Sequence, residues 1–435
     1  MTASLAPIAA LLTSVAFLLM GNGLQGTLLP LRADSTGFSS ADIGILGGAY
    51  FAGFILGCLM GARLVRRVGH IRTYIAMSTM ATAVVLLHSL FVEAVAWWPL
   101  RAVTGFAFAV LAMTIESWLN ERATNRNRGT IMSIYTVLNL AAITVGQQLV
   151  NLYAPAGFQL FILAAILISL AALPVALTVA PAPKPLATVN LRLGHLYRLS
   201  PVAFLGALAV GLGNGSFWSL GPVFAIKTGA SVQEATLFMS AAVLGGAALQ
   251  WPLGWLSDRI DRRKVIVAAA AGAALSAAAI AALSSSFNPT NLVFVALFGG
   301  FAFPVYALSV AHMNDFVAAD AFVEASSGLL LVYGVGAVVG PILASLIMQG
   351  AGGFALFIFI GVVFALNAAA ALWRLRVRRQ PAAETVGPFV ATPGTSPAVF
   401  ELDPRAPDMP QGDVPAPGVV EAETGDESNA ETRRL

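Results

Sequence analysis

The sequence predicts an all-α integral membrane protein with twelve transmembrane helices, arranged as two bundles of six. Three observations predict this fold class: the composition, the apolar segments, and the placement of basic residues between them. Of the 435 residues, 58% are hydrophobic and only 10% are charged, and the mean hydropathy is +0.81. Soluble globular chains are about 45–50% apolar and about 25% charged, so lipid must be the solvent for most of this chain.

Twelve apolar segments are long enough, or nearly so, to cross a bilayer core of about 30 Å, which requires roughly 20 helical residues. Because lipid offers the backbone no hydrogen-bond partners, each segment is predicted to be a helix. No Lys or Arg precedes the first segment, so we expect it to be a retained helix rather than a cleaved signal. Numbered 1 to 12, the segments are 8–30, 43–64, 73–91, 97–118, 130–152, 157–180, 201–226, 235–256, 265–284, 291–313, 325–348 and 354–373.

Basic residues alternate between the loops on the two sides of the predicted membrane. Loops on one side hold 18 Lys and Arg residues, whereas those on the other side hold only Arg32 and Lys227. Since positive loops stay in the cytoplasm, this alternation predicts that both termini are cytoplasmic in a multi-pass protein of the inner (plasma) membrane. The 18 are Arg63, Arg66, Arg67, Arg72, Arg122, Arg126, Arg128, Lys184, Arg192, Arg198, Arg259, Arg262, Arg263, Lys264, Arg374, Arg376, Arg378 and Arg379.

The predicted domain boundaries follow from the linker and the tail. Residues 1–180 form the N-terminal bundle, 181–199 a basic Pro-rich cytoplasmic linker, and 200–375 the C-terminal bundle. Residues 376–435 are predicted to be a disordered cytoplasmic tail, because 381–435 hold ten acidic residues, three arginines and nine prolines. Such a composition buries too little apolar surface to offset the entropy of ordering the chain.

The two halves repeat each other in sequence. Gly21-Asn22-Gly23 in segment 1 recurs as Gly213-Asn214-Gly215 in segment 7, at an offset of 192 residues. In segment 4, residues 105–112 match residues 300–307 of segment 10 at six of eight places, at an offset of 195. Parallel repeats of six helices are a transporter architecture in which the substrate site lies between the halves.

Two motifs resemble those of a known family. Residues 254–263, which read Gly-Trp-Leu-Ser-Asp-Arg-Ile-Asp-Arg-Arg, resemble the loop signature of the major facilitator superfamily, with Asp261 in place of its second glycine. In the first-half counterpart Arg66 stands where the signature has Asp. Arg101 with Gly105 is similar to the R-x-x-x-G motif of the superfamily. The resemblance implies a two-bundle fold and alternating access around a central site.

Two further stretches bear on the subgroup. Residues 116–120, Glu-Ser-Trp-Leu-Asn, are most similar to bacterial members of the YcaD type. Gly336 and Gly340-Pro341 resemble a motif that the superfamily's antiporters carry in helix 5, but here it stands in segment 11. This placement argues against drug–proton exchange. We also expect the small-residue ridges of segments 2 (Ala49, Gly53, Gly57, Gly61) and 11 (Gly336, Gly340) to pack where these helices meet across the halves, as the resemblance implies.

Ionisable residues within membrane helices are energetically costly and are therefore functional candidates. Arg101 is a candidate for gating or proton linkage, or else it neutralises backbone carbonyls. Glu116 is a candidate for substrate or proton coupling, or else it forms a salt bridge to a nearby arginine at the cytoplasmic boundary. A free imidazole titrates near pH 6.5, which suits proton coupling, so His312 is a candidate for that role, or else for a purely structural hydrogen bond.

Amide and aromatic side chains are the candidates for substrate contact. The resemblance places segments 1 and 7 beside the central cavity, and both carry polar residues at equivalent positions. Asn22 and Asn214 have the alternative of hydrogen-bonding between helices. The absence of basic clusters in mid-membrane predicts a small neutral or amphipathic solute rather than a polyanion. The predicted substrate contacts are Asn22, Gln25, Asn139, Asn214, Trp218 and Tyr306.

Two ion-pair clusters are predicted to latch the cytoplasmic side. The loop after segment 2 is wholly basic and the loop after segment 10 is wholly acidic, and the resemblance implies that these two loops are neighbours. On the other diagonal, the signature loop after segment 8 carries Asp258 against the basic loop after segment 4. Arg66, Asp258 and Arg259 are therefore further gating candidates. The first cluster would join Arg63, Arg66, Arg67 and Arg72 to Asp315, Asp320 and Glu324, and the second would join Asp258 to Arg122, Arg126 and Arg128.

These observations favour a proton-coupled secondary transporter of a small molecule. The alternatives are a passive facilitator, which needs neither Glu116 nor His312, and a non-transporting sensor or scaffold whose tail recruits a partner. We do not expect an enzyme, because the membrane segments lack a His pair, a Cys–His pair and paired carboxylates at helical spacing. We expect no cofactor, no metal and no nucleic-acid partner, since membrane topology explains the basic clusters.

Overall fold

The computed structural model describes residues 6–122, 128–177, 193–318, 321–377, 387 and 389–390. Within these residues the chain is helical and has no strand. Most of the predicted linker (181–192) and most of the predicted tail lie outside the described residues. Of the linker, only the short helix α7 (Leu193–Leu199) is described.

In the described residues, twelve helices are long and apolar enough to cross a membrane, which confirms the predicted number. Segment 10 consists of two consecutive helices, α11 and α12, that meet at Phe303. The other helices are α1 (Ala6–Ser35), α2 (Ser40–Val68), α3 (His70–Leu90), α4 (Ala94–Arg122), α5 (Arg128–Gln148), α6 (Gln159–Ala176), α8 (Pro201–Lys227), α9 (Val232–Ser257), α10 (Arg262–Ala282), α13 (Phe322–Ala351) and α14 (Ala355–Val377), with α11 spanning Pro289–Ala302 and α12 Pro304–Asn314. A 3-10 turn, Leu149–Leu152, extends α5.

The repeat begins at the helix caps. At the start of α2, the backbone N–H of Asp42 donates to Ser39 Oγ (3.1 Å) and the N–H of Ser39 donates to Asp42 Oδ2 (3.0 Å). At the start of α9, Glu234 and Ser231 exchange the same two bonds at 3.2 and 2.8 Å. Such reciprocal capping satisfies two backbone donors that the first helical turn leaves free. Both boxes stand 192 residues apart, so the same local signal starts both helices.

Close glycine contacts recur in both halves and show which residues of α4 and α11 are equivalent. Gly105 lies against the carbonyl oxygen of Tyr50, and Gly299 lies in the same way against that of Ala242. Since Tyr50 and Ala242 are 192 residues apart, the packing pairs Gly105 with Gly299, at an offset of 194. The sequence match at an offset of 195, which pairs Gly105 with Gly300, is therefore wrong by one residue at this position.

The glycine ridges pack closely, but their predicted partner helices are wrong. Gly53 contacts the backbone of Ala102 and Gly57 that of Phe106, both on α4. Gly336 and Gly340 lie against the backbone of α8. Each ridge therefore packs against another helix of its own half. The backbones approach so closely at these glycines that a Cβ would not fit.

A different set of glycines mediates the contact between α2 and α13 across the halves. Gly44 lies against Ser345 and the Pro341 carbonyl, and Gly48 lies against the Val338 carbonyl. The predicted meeting of these two helices is thus confirmed, although through residues nearer the start of α2.

Gly340 also occupies the place in its half that Gly146 of α5 occupies in the other. Gly146 lies against the Met20 carbonyl, and Gly340 against the Leu212 carbonyl, 192 residues further on. The glycine motif of α13 therefore stands in the repeat equivalent of the fifth helix.

Candidate functional site

A cavity of about 230 Å³ lies between the two halves, level with the middle of the helices. Helices α1, α2, α4 and α5 of the first half and α8, α9, α12 and α13 of the second contribute to its wall, together with Phe303 at the junction of α11 and α12. The lining residues are Asn22, Gly23, Gly26, Thr27, Leu29, Pro30, Ile43, Leu46, Gly47, Tyr50, Phe51, Arg101, Thr136, Asn139, Leu140, Ile143, Gln147, Val210, Asn214, Trp218, Ser219, Gly246, Gln250, Phe303, Tyr306 and Tyr333.

The first half gives the cavity a polar wall with one positive charge. Arg101 of α4 places its guanidinium 4.4 Å from the ring centroid of Tyr50 on α2. The side chain of Asn22 on α1 interacts with the Tyr50 hydroxyl. Nη1 of Arg101 is shielded from solvent and has no hydrogen-bond partner among the described residues. A buried donor that is left unpaired costs free energy, so this group is poised to receive a ligand atom.

The second half gives the cavity an aromatic wall. Trp218 of α8 stacks on Phe303 with ring centroids 5.6 Å apart and an angle of 22° between the planes. Tyr306 meets Tyr333 edge to face at 5.3 Å. The hydroxyl of Tyr306 and Oδ1 of Asn214 are buried, and neither has a hydrogen-bond partner in the part of the chain that the structure describes. This wall therefore offers apolar ring surface with isolated polar atoms, as small-molecule sites commonly do.

Phe303 reaches the cavity because segment 10 is interrupted there. Pro304, at the first turn of α12, has no N–H to donate to the carbonyl of the preceding turn, so α11 ends at Ala302. The corresponding stretch of α4 carries no proline, and that helix runs without a break from Ala94 to Arg122.

Five of the six predicted substrate contacts line the cavity, and the sixth does not. Asn22, Asn139, Asn214, Trp218 and Tyr306 are among the lining residues. Gln25 is fully buried beside the cavity wall, and no described residue forms a hydrogen bond with its Oε1 or its Nε2.

Several lining residues, above all Tyr50, Phe303 and Tyr333, were not predicted from the sequence. Tyr50 follows Gly47-Gly48-Ala49. A large ring with a polar hydroxyl after a run of small residues is the sequence feature that could have indicated its place in the cavity wall. Phe303 was marked only by the proline that follows it. For Tyr333 no local pattern distinguishes the residue from the other aromatic residues of the apolar segments.

At the end of the molecule opposite the basic loops, the two halves are joined by polar contacts. Nζ of Lys227 lies 3.6 Å from Oδ1 of Asp34 and 3.0 Å from Oγ of Ser40. Lys227 belongs to α8, and its two partners lie at the end of α1 and the start of α2. One corner of the interface between the halves is therefore closed by an ion pair.

A second corner at the same end is closed by amide and hydroxyl groups. Gln148 Nε2 donates to Ser240 Oγ at 2.7 Å, and Ser240 Oγ donates to Gln147 Oε1 at 3.0 Å. Asn151 Nδ2 donates to Thr236 Oγ1 at 2.9 Å. These bonds join α5 and the turn that extends it to α9, so the halves meet on both sides of the cavity at this end.

At the basic end, no ion pair between described residues joins the halves. Arg262 instead binds Asp258 and Asp315, each at 2.9 Å, all within the second half. The predicted partners Arg126 and Asp320, and the side chains of Arg122 and Arg128, lie outside the described residues.

The remaining gating candidates at this end lie at the surface. Arg66 is exposed and forms no ion pair with a described residue, and Arg259 stacks on Trp255 with 3.6 Å between the guanidinium and the ring centroid. In this conformation, therefore, no ion pair between described residues joins the members of either predicted latch across the halves.

Two residues of the predicted tail, Gly387 and Phe389, contact the same charged cluster. The backbone N–H of Phe389 donates to both oxygens of Asp258, at 2.9 and 3.1 Å. Arg262 Nη2 donates to the carbonyl of Gly387 at 2.8 Å. The ring of Phe389 lies on Gly254. At these positions the tail is held against the second half.

Asp261, which replaces a glycine of the loop signature, has a local structural role. It caps α10 by accepting the N–H of Arg263 at 3.0 Å, and it binds the Arg263 guanidinium at 2.7 Å. Burial alone would raise the pKa of the Asp261 carboxyl, but the hydrogen bonds and charge of Arg263 hold that pKa below its ordinary value.

Glu116 and His312 lie between the cavity and the basic end. Glu116 is fully buried and accepts a hydrogen bond from the Tyr135 hydroxyl at 3.1 Å. His312 is buried and packs edge to face on Phe316 at 5.1 Å. Neither residue lines the cavity. Among the described residues, no group of three or more His, Cys, Asp or Glu side chains is arranged to hold a metal ion.

Comparison with known proteins gives a family and a fold. The model of the Major Facilitator Superfamily matches residues 11–200 and 203–405. The protein named "Uncharacterized MFS-type transporter YcaD" of Escherichia fergusonii is 26% identical over 359 residues, covering 82% of this chain and 93% of that protein. Its namesake in Shigella flexneri is 26% identical over 367 residues, with the same coverage of both chains.

Two solved structures share the fold at low identity. The nucleoside transporter NupG has a TM-score of 0.68 and 15% identity, covering 87% of this chain and 100% of its own. The D-xylose-proton symporter has a TM-score of 0.69 and 13% identity, covering 87% of this chain and 98% of its own. At such identities the likeness concerns the arrangement of the helices.

Proposed function

This chain belongs to the major facilitator superfamily, and from that premise we propose that it is a secondary active transporter of the inner membrane. It moves a small amphipathic solute by alternating access, and the movement is coupled to protons. The single observation that carries the proposal is the central cavity, which lies between two repeated halves and is closed at one end by polar contacts between them. In parallel-repeat transporters the substrate binds at such an interface, and the halves rock around it.

The closed end supports an assignment of the conformational state. If the basic loops are cytoplasmic, as the distribution of Lys and Arg indicates, the contacts of Lys227 and Gln148 close the outer side. The described structure is then the inward-facing form. The outward-facing form would break these bonds and bring the basic ends of the two halves together. The exposed pairs at that end would contribute only about 0–1 kcal/mol each, enough to bias the balance between the two forms.

Glu116 is the residue that best supports proton coupling. An ionisable group is costly at membrane depth, so the fully buried carboxyl of Glu116 is a functional candidate. The Tyr135 hydroxyl that donates to it belongs to α5, one turn from the cavity residue Asn139. A ligand at Asn139 that displaced α5 relative to α4, within the first half, would therefore change the environment of the carboxyl. His312 occupies a similar depth in the other half and is the second candidate.

A ligand screen tests the central site. The detergent-purified protein is heated with each member of a library of metabolites and drugs, at two pH values. A ligand at a hundred times its dissociation constant stabilises the folded state by about 2.7 kcal/mol, which raises the melting temperature measurably. We expect one class of compounds to stabilise the protein, and this effect to be lost in Asn22→Ala and Asn214→Ala. Gln349→Ala, which removes an exposed amide outside the cavity, is the control and should respond as the wild type does.

Transport of the compound found in this way separates the candidate mechanisms. In proteoliposomes with an imposed pH gradient, we expect accumulation that Glu116→Gln or a protonophore abolishes. Equilibration without accumulation, unaffected by the protonophore, would make the protein a passive facilitator. Binding that depends on Asn22 but produces no flux would favour a sensor or scaffold.

A further inference from the structure

Arg101 is the one charged residue that lines the cavity, in the part of the chain that the structure describes. No hydrogen bond or ion pair joins its guanidinium to a described residue, and its Nη1 is shielded from water. Its described neighbour is the ring of Tyr50, 4.4 Å away, whose face attracts the cation. The positive charge at the centre of the membrane is therefore only partly compensated by the protein.

An uncompensated charge at membrane depth requires a partner, because neither lipid nor apolar side chains solvate it. Glu116, on the same helix, does not supply one. It stands fifteen residues further on, which is about 22 Å along the helix axis. The remaining polar groups of the cavity wall are amides and hydroxyls, which carry no charge. The missing negative charge is thus one that a ligand would bring.

The surroundings of Arg101 limit what this ligand is. A guanidinium presents a planar fork of donors that matches a carboxylate in geometry. A single cation suits a single negative charge, whereas a phosphate or a dicarboxylate would leave charge unpaired. The opposite wall carries Trp218, Phe303 and Tyr306, which provide apolar surface for the rest of the molecule. The buried, unpaired hydroxyl of Tyr306 supplies one further donor.

We propose that the transported solute is an organic monocarboxylate with an apolar or aromatic body, whose carboxylate binds Arg101 and whose body lies on the aromatic wall. This inference rests on the proposed function, since it assigns the substrate class of the same cavity. It also provides a physical reason for proton coupling. A proton that moves with the anion makes the step electrically neutral, so the membrane potential does not oppose uptake of a negative solute.

Matched pairs of probes test the charge requirement in the wild-type protein. Phenylacetate, 3-phenylpropionate and octanoate are each compared with their primary amides, which have nearly the same shape and no charge. Dissociation constants come from the concentration dependence of the melting temperature. We expect the carboxylate of at least one pair to bind about tenfold more tightly than its amide, the ordinary advantage of a charged over a neutral hydrogen-bond partner. This comparison needs no variant to fold.

Variants then assign the preference to Arg101. In Arg101→Gln we expect the carboxylate to bind no better than the amide, while the amide binds as in the wild type. Arg101→Lys keeps the charge but loses the planar fork, so part of the preference should remain. Arg198→Gln removes an arginine from α7, outside the cavity, and should behave as the wild type does.

The outcomes separate this inference from the proposed function. If no pair shows a preference for the carboxylate, or if the preference survives in Arg101→Gln, the monocarboxylate inference is wrong. Stabilisation by neutral compounds of the larger library, dependent on Asn22 and Asn214, would leave the proposed function standing after such a result. If a carboxylate binds in preference to its amide but is never transported, the anion site stands and the transport proposal is overturned instead.

Discussion

The two halves share one backbone plan but carry different side chains at equivalent positions. The glycine contacts that pair Tyr50 with Ala242 also pair Arg101 with Val295, and the offset of α1 to α8 pairs Gln25 with Phe217. The first half therefore places a cation and an amide where the second places apolar residues. A repeat that is held by backbone packing leaves its side chains free to diverge. Of Arg101, Gln25 and their two apolar counterparts, only Arg101 lines the cavity, so the divergence at its position gives the charge to the first half alone.

The aromatic core of the second half should give the largest effect. Phe217 is fully buried and meets Phe298 at 5.4 Å and Phe238 at 6.2 Å between ring centroids. Replacing a buried Phe by Ala removes apolar contacts and leaves a void, at a cost of about 3–5 kcal/mol. We expect Phe217→Ala to lower the melting temperature of the purified protein by several degrees. Phe354→Ala, which truncates an exposed ring, is the control. A fall in the melting temperature of Phe217→Ala no greater than that of Phe354→Ala would contradict this expectation.

The register of the repeat is tested by two neighbouring glycines. A Cβ at Gly299 would overlap the carbonyl oxygen of Ala242, which α9 cannot withdraw without a backbone shift. At Gly300 the nearest atom is the terminal Cδ1 of Leu249, at 2.7 Å, and that side chain has other rotamers. Gly299→Ala should therefore cost about 1–3 kcal/mol of stability, as overpacking does, and Gly300→Ala less. Thermal unfolding of the two purified variants measures the difference.

The first half supplies the control for this register. Gly105→Ala should destabilise the protein as much as Gly299→Ala, because both face a backbone carbonyl in the same way. If Gly300→Ala proved the more damaging of the two C-terminal variants, the offset of 195 given by the sequence match would be restored.

Gln25 is where the first half departs most from an apolar core. Both polar atoms of its amide are buried without a partner, whereas Phe217 at the equivalent place packs among aromatic rings. Burying an unpaired amide costs about 1–3 kcal/mol, so an apolar residue of similar size should raise stability. We expect Gln25→Leu to raise the melting temperature and to leave ligand binding unchanged, since Gln25 does not line the cavity. A simultaneous loss of binding would return Gln25 to the substrate contacts.

The sequence predicted well those features that a single physical constraint determines. Segment number and length follow from the hydrophobic thickness of the membrane, and Asn22 and Asn214 were marked by their repeated glycine flanks. Partners across the structure were harder, because helix periodicity does not say which neighbour a glycine meets. Gly53 and Gly336 were thus assigned to the wrong interfaces. The stacking of Arg101 on Tyr50 was missed for the same reason, since the two residues lie on different helices.

The charged loops at the basic end also differ between the halves. In the second half Gly254, Asp258 and Arg262 form the surface that holds the tail, whereas the first half has Ala62, Arg66 and His70 at the same offset of 192. Gly254 is necessary for this contact, because a Cβ there would overlap the ring of Phe389. Arg66 in place of an aspartate could not accept the backbone N–H that Asp258 accepts.

A single methyl group should therefore release the tail from the second half. In Gly254→Ala, Phe389 is displaced and its hydrogen bonds to Asp258 are lost, so amide exchange at Phe389 should accelerate toward the rate of a free chain. Hydrogen–deuterium exchange of the peptide that spans residues 387–390 measures this. Gly350→Ala, where a Cβ meets open space, is the control. The melting temperature should change little, because the contact lies at the rim of the bundle. Unchanged exchange in Gly254→Ala would mean that the backbone bonds of Asp258 and Arg262 hold the tail without the aromatic ring.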